Sequence, residues 1–255
     1  MHSAVAVPNP ADNHLLRALP HAAFERLCPH LEPVALALGQ VIFESNQRIN
    51  YGYFLTNSII SLLYTMENGA TAEMALVGND GIVGTAIFLG GESTCGRAVV
   101  AVAGQSFRIP AGFLLEEFER NPVLQHVLLR YVQALITQVS QTAVCNRLHS
   151  IEQRLCRWLL LCHDRTVSSE LLMTQELIAH MLGGRRESVT VAAGHLQDLG
   201  LIHYCRGHIR ILDRRGLEAS ACECYRIVDR EVARLFGRKR EPELSKPAVP
   251  FEAAG

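Results

Sequence analysis

Long hydrophobic runs are missing from this 255-residue chain. No apolar stretch reaches the ~18–20 residues that a membrane-crossing helix needs, although 49% of the residues are hydrophobic. The opening segment, MHSAVAVPNPADNH, has neither a basic n-region nor an apolar h-region, so no secretory signal is read there. A cytoplasmic protein with no membrane partner is expected. Catalytic signatures are missing too: there is no Walker loop, no His-Glu-x-x-His and no Gly-x-Ser-x-Gly. The Glu116–Glu117 pair is adjacent and therefore points two ways on a helix. The chain is not expected to be an enzyme. Its eight cysteines (28, 95, 145, 156, 162, 205, 222 and 224) are scattered, five of them beside apolar or helical patterns. In a reducing compartment such residues act as small buried hydrophobes. Cys222-x-Cys224 and Cys205-x-x-His208 are the only close pairs of possible ligands, and neither has the matched second pair of a metal site. No metal is expected.

Charge is nearly balanced overall, at −1, but not along the chain. Residues 1–146 carry 7 Lys/Arg against 11 Asp/Glu, residues 147–240 carry 16 against 11, and residues 241–255 carry 1 against 3. An acidic front and a basic back suit a sensor joined to a nucleic-acid module.

Two short helical patterns meet across a glycine in residues 175–194, QELIAHMLGGRRESVTVAAG. Ile178, Ala179 and Leu182 share one face of the first; Val189, Ala192 and Leu196 share one face of the second. Gly183 stands between, where a tight turn needs a residue tolerant of positive φ, and the small Ala179 permits a close crossing. This is helix-turn-helix spacing, whose second helix can enter the major groove. An αα-hairpin in a core shares the spacing, but Arg185, Arg186, Glu187 and Ser188 bunch at the end that reaches base edges. Runs at 202–205 and 209–212 flank Arg206–Gly207–His208, so a two-stranded hairpin, or wing, follows.

From LLMTQELIAHMLGGRRESVTVAAG through HLQDLGLIHYCRGHIRILDRRGLEASACECY the chain resembles the DNA-binding domain of the Crp/Fnr superfamily of bacterial transcription regulators. The resemblance implies an α+β architecture: an N-terminal β-roll (jelly-roll-like) sensor, a long dimerisation helix and a C-terminal winged helix-turn-helix. The divisions read as a flexible N-terminus (1–14), β-roll (15–120), dimerisation helix (121–148), winged helix (149–225), and a C-terminal helix with a flexible tail (226–255). Arg186 and Glu187 match the Arg-Glu pair that reads a G·C step in the family, with Thr190 and Val191 beside them as further base readers. Thr174, Arg185, Ser188, Arg206 and His208 are expected at phosphates. The implied function is sequence-specific regulation by a homodimer on an inverted-repeat operator in double-stranded DNA, with RNA polymerase as a further partner. A signalling protein that senses a small molecule or metal, and whose winged helix contacts proteins, is the alternative.

The front half fits the same architecture. Residues 15–28 read as a helical lead-in. Short apolar runs at 41–43, 53–55, 59–64, 72–77, 98–103 and 106–109, separated by turn residues, have the spacing of an all-β roll. In cyclic-nucleotide-binding relatives a Gly-Glu pair holds the ribose and an Arg neutralises the phosphate. The loop Gly81, Gly84, Thr85, Arg97 is the candidate equivalent, but Thr85 stands where the carboxylate is needed, so cyclic nucleotide binding is not expected. The alternative is a structural Gly-rich turn with Arg97 paired to a carboxylate. The clustered N-terminal cysteines of the iron–sulfur relatives are absent before Cys28, so no iron–sulfur cluster is expected, and any effector is unidentified.

Asn121–Pro122 starts a helix with apolar residues at Leu124, Leu128, Tyr131, Leu135 and Val139 and no charge between Arg130 and Arg147. That near-heptad stripe resembles the long family helix that pairs with its twin across a two-fold axis; a core helix within its own domain is the alternative. Residues 150–162 form a separate connecting helix, with Trp158 in the reader's core, and residues 217–236 read as one amphipathic helix.

Overall fold

The computed structural model describes residues 9–166 and 170–237; the tail cations Arg238, Lys239 and Arg240 lie outside them. The helical lead-in is two pieces, α1 (His14–Arg17) and α2 (His21–Leu27), divided at Pro20, which cannot donate a backbone hydrogen bond. Residues 9–13 belong to the fold instead of a loose terminus. Asn13 is fully buried, caps α1 through its carbonyl oxygen, and donates its amide to the Leu55 and Gly81 carbonyls at 2.9 and 2.8 Å.

The apolar runs become strands β1 (Glu32–Leu36), β2 (Val41–Phe43), β3 (Tyr51–Leu55), β4 (Ile59–Thr65), β5 (Thr71–Val77), β6 (Ile82–Val83), β7 (Arg97–Val102) and β8 (Gly104–Pro110). They pair antiparallel in two sheets of order β1-β8-β3-β6 and β2-β7-β4-β5. Phe54, Leu55, Ile60 and Ile109 are buried together in the core of this domain. The helix α3 (Ala111–Arg120) then leads to α4 (Pro122–Leu148). Asn121 caps α4 by accepting from the Val123 and Leu124 N–H groups at 3.1 and 3.2 Å, with Pro122 in the first turn.

The expected dimer stripe of α4 is covered within the chain. Leu124, Leu128 and Tyr131 are buried in the β-roll core, and Leu135 packs partly against it. The β-roll offers an apolar face of its own, and a helical stripe fits that face as well as it fits a twin. On the opposite side, His126, Leu129, Gln133, Ile136, Ser140 and Ala143 are exposed at alternating steps of three and four. Leu129 is 45% exposed and Ile136 55%, so a second apolar seam remains open.

The C-terminal domain begins with α5 (Ile151–Arg165), started by a capping box between Ser150 and Gln153. It continues through β9 (Glu170–Leu172), α6 (Gln175–Leu182), α7 (Arg186–Asp198), β10 (Ile202–Cys205) and β11 (His208–Ile211). The wing is a three-stranded sheet of order β10-β11-β9, one strand more than the expected hairpin. The expected helix over 217–236 is two, α8 (Arg214–Ser220) and α9 (Glu223–Phe236), separated at Ala221–Cys222, and α9 packs along α4.

Trp158, Leu159 and Cys162 of α5 pack with Ile178, Val189, Leu196 and Ile209 in the domain's core. Ile59, Leu63, Leu76 and Ala101 from the outer face of the β4–β5–β7 sheet join the same cluster, so the two domains share a core. Polar contacts cross this junction too. Arg165 donates to Asp80 Oδ1 at 3.0 Å, and Gln138 of α4 donates to the Leu76 carbonyl at 3.0 Å.

Candidate functional site

The helix-turn-helix forms where the sequence places it. Thr174 caps α6 by accepting from the Leu177 N–H, and Gly183 closes it in the left-handed conformation, φ 58°. The Gly183 and Gly184 N–H groups bond back to carbonyls of the last turn of α6. An added side chain at Gly184 would meet Ile151, so this second glycine sets the close approach of the turn to α5. In α7, Val189, Ala192, Ala193 and Leu196 are buried. The faces not committed to packing carry Arg186, Glu187, Thr190, Val191 and Gly194, all exposed, with Val191 at 73%.

Arg185 takes the capping position ahead of α7 without a side-chain cap bond, and Arg185, Arg186 and Ser188 are exposed. Among the described residues neither Arg185 nor Arg186 forms an ion pair, leaving two guanidinium groups available at the helix N-terminus, where backbone N–H groups also favour an anion. Thr190 Oγ1 lies 2.8 Å from Gln175 Oε1 and 2.9 Å from the Arg186 carbonyl, which ties α7 to the start of α6. Arg186, Thr174, Tyr204 and Arg206 border one open concavity between α6 and the wing.

At the wing tip, Arg206 and Gly207 both have positive φ, 48° and 84°, the signature of a two-residue type I′ turn. The loop is therefore shorter than the three residues expected. His208 is the first residue of β11, paired with Cys205 across the hairpin, and its Nδ1 lies 3.2 Å from Glu170 Oε1 on β9. Of the residues expected at phosphates, Thr174 and Arg206 border that concavity, Arg185 and Ser188 are exposed at the start of α7, and His208 stands beside a carboxylate.

A second site lies in the front half. A cavity of about 850 Å³ opens between the β-roll and α4, walled by Phe43, Leu62, Met74 and Leu89, with Leu135 and Val139 supplied by α4. Gly84, Thr85 and Arg97 from the candidate effector loop line it; Gly81 does not, and is packed against the Tyr131 ring. Gly84 has φ 107°, so the loop does require a glycine there. Arg97 donates from Nη2 to Glu44 Oε1 at 3.1 Å, while its buried Nε has no partner. The pairing with a carboxylate is the alternative the sequence left open. Gly183, the turn of the helix-turn-helix, reaches the rim of the same cavity.

One constellation escaped the sequence. Cys145 from the end of α4 and His149 just after it lie beside Cys222 and Cys224, supplying the second pair of ligand atoms that the Cys-x-Cys motif lacked. The 145–149 and 222–224 spacings are each local, but neither hints at the other pair more than seventy residues away.

Residues 153–220 match the Crp-like helix-turn-helix domain family. The global nitrogen regulator of Synechococcus elongatus is 24% identical over 184 residues, covering 69% of this chain and 83% of that protein. Among solved structures, FixK2 from Bradyrhizobium japonicum superposes with a TM-score of 0.65 at 14% identity, over 75% of this chain and 98% of that one. A crp/fnr-family transcriptional regulator from Eubacterium rectale gives 0.62 at 19% identity, over 81% and 96%. No helix among the described residues is long and apolar enough to cross a membrane.

Proposed function

We propose that this chain, a DNA-binding transcription regulator of the Crp/Fnr superfamily, works as a homodimer whose α7 reads an inverted-repeat operator under the control of the β-roll cavity. The observation that carries the reading is the exposed start of α7, with Arg185, Arg186 and Glu187 free of ion pairs among the described residues and Arg186 beside the wing. Arg186 is assigned to guanine O6 and N7 and Glu187 to cytosine N4, with Val191 against a thymine methyl. Thr174, Arg185, Ser188 and Arg206 are assigned to phosphates. His208 loses that role in this proposal, because Glu170 beside it would repel a phosphate.

The exposed α4 seam of Leu129, Ile136 and Ala143 supports the dimer, since residues seven apart meet their twins in a coiled coil. Half-sites then repeat about one helical turn apart, ~34 Å. The cavity supports a largely apolar effector with Arg97 as a cation on its wall, and a cyclic nucleotide fits poorly where Thr85 replaces the ribose-binding carboxylate. Because Gly183 lies at the cavity rim, a molecule bound there would touch the β-roll, α4 and the reader's turn together.

A mobility-shift experiment with genomic fragments, in excess random duplex, tests this reading. Retention of a few fragments that share an inverted repeat is the expected result. Equal competition by every duplex would overturn it.

A further inference from the structure

We propose that Cys145, His149, Cys222 and Cys224 form a tetrahedral site for a single zinc-class divalent ion, which ties the start of α9 to the end of α4. The four ligand atoms all lie within 4.8 Å of one another. Cys145 Sγ is 3.5 Å from Cys222 Sγ, and Cys224 Sγ is 3.6 Å from His149 Nδ1. Zinc–sulfur bonds of ~2.3 Å in a tetrahedron place neighbouring sulfurs about 3.7 Å apart, so one ion fits with small adjustments of rotamer. A cluster of two or more irons spreads opposite thiolates wider than this, because a metal–metal vector separates them.

The surroundings fit an ion better than they fit three buried hydrophobes. Cys145, Cys222 and Cys224 form a buried cluster of their own, apart from both apolar cores. His149 Nε2 lies 3.3 Å from Glu223 Oε2, and an imidazole that keeps its hydrogen on that side presents the Nδ1 lone pair to the sulfurs. Carboxylate support behind a ligating imidazole is the usual arrangement of metal-bound histidine. Three thiolates around a divalent cation leave one negative charge. Arg154 and Arg157 lie near enough to act on the cysteines electrostatically, and each has a buried Nε without a partner.

The position gives the ion its purpose. His149 and Ser150 are the only residues between α4 and α5, and α5 carries the DNA-binding domain. Anchoring His149 and the first turn of α9 to Cys145 locks that junction, so the ion acts as a structural clamp at the hinge between sensor and reader.

The test uses the full reduced chain in the absence of DNA, so its outcome is independent of the operator reading. Metal analysis of the freshly purified protein should find close to one equivalent of zinc. The chain stripped with chelator should take up one equivalent of Co²⁺, with the intense absorption of a tetrahedral cobalt thiolate, and Zn²⁺ should displace it. Cys224→Ser should abolish the cobalt spectrum and Glu223→Gln should weaken binding about tenfold. Cys95→Ser and Cys205→Ser, at exposed cysteines outside the cluster, should leave it unchanged. Failure of the reduced wild-type chain to bind Co²⁺ and Zn²⁺ at micromolar concentration would overturn the site, whatever the variants do. So would an unaltered spectrum in Cys224→Ser, a sulfide-containing iron chromophore, or a Cys145–Cys222 disulfide in place of bound metal.

Discussion

Trp158 of the C-terminal domain donates its indole N–H to Glu73 Oε1 of the β-roll, 3.0 Å away, and both side chains are buried. Ser61 Oγ donates to the other oxygen at 2.6 Å. Burial pushes the Glu73 carboxyl from its ordinary 4.5 up to about 7, against the hydrogen bonds from Ser61 and Trp158 that pull it down. A carboxyl raised in the folded state binds its proton more tightly there than in the unfolded chain. Stability from this group is therefore full below about pH 4.5, falls as pH rises through 7, and is lost above that. The difference amounts to at most about 3 kcal/mol. Glu73→Gln, which keeps an acceptor for the indole, should flatten this slope in urea denaturation at pH 5 and pH 8. An unchanged slope would assign the pH dependence elsewhere.

Arg186→Ala should cost ~1–3 kcal/mol on the specific operator and flatten preference at one G·C pair. Arg185→Ala should weaken specific and random DNA alike and lower the salt slope by about one. Binding titrations of both variants against single-base operator changes separate the two roles. Since Arg186 also borders the concavity shared by Thr174 and Arg206, an equal loss on every sequence would make it a backbone contact.

The two faces of α4 predict opposite phenotypes. Leu128→Ala empties a fully buried site and should destabilise the fold by ~2–5 kcal/mol. Ile136→Glu places a charge on the open seam, should leave thermal stability within ~0.5 kcal/mol per protomer, and should convert a dimer to monomers in sedimentation. A dimer that survives Ile136→Glu and Leu129→Glu together uses some other surface.

Cyclic AMP should give no heat in calorimetric titration at micromolar concentration, since Thr85 offers no carboxylate and Arg97 is already paired with Glu44. A larger side chain at the apolar wall, Leu135→Trp, should shrink the cavity and displace an environment-sensitive apolar dye from it. Saturable cyclic AMP binding in the wild type would show that the loop rearranges to form a polar site.

Much of this molecule was legible because its signals are local. The Gly183 turn, the Val189–Ala192–Leu196 face and the Asn121–Pro122 start each depend on neighbours within a few residues. The runs later found in β2, β3, β4, β5, β7 and β8 alternate or are bounded by turns. The two-residue β6 carries too little sequence to show a period, and β9 pairs only with β11, more than thirty residues further on, so no local turn marks it. The stripe on α4 was correctly seen as apolar, but periodicity cannot name a partner, and Leu124, Leu128 and Tyr131 went to the chain's own β-roll. The cysteine cluster was illegible for a related reason: α9 returns along α4 only once the whole domain has folded, so ligands far apart in sequence become neighbours.

Because Leu135 and Val139 wall the cavity while Ile136 and Ser140 follow them onto the open seam, α4 behaves as a shaft with a cam on one side and gear teeth on the other. A molecule bound in the proposed effector cavity would press on this one face of α4. In the proposed dimer the twin shaft must turn with it, so filling one cavity reshapes the second before it is occupied. The two effector sites are then coupled mechanically, and an effector titration should depart from a simple hyperbola, with a Hill coefficient different from one that returns to one when Ile136→Glu uncouples the protomers.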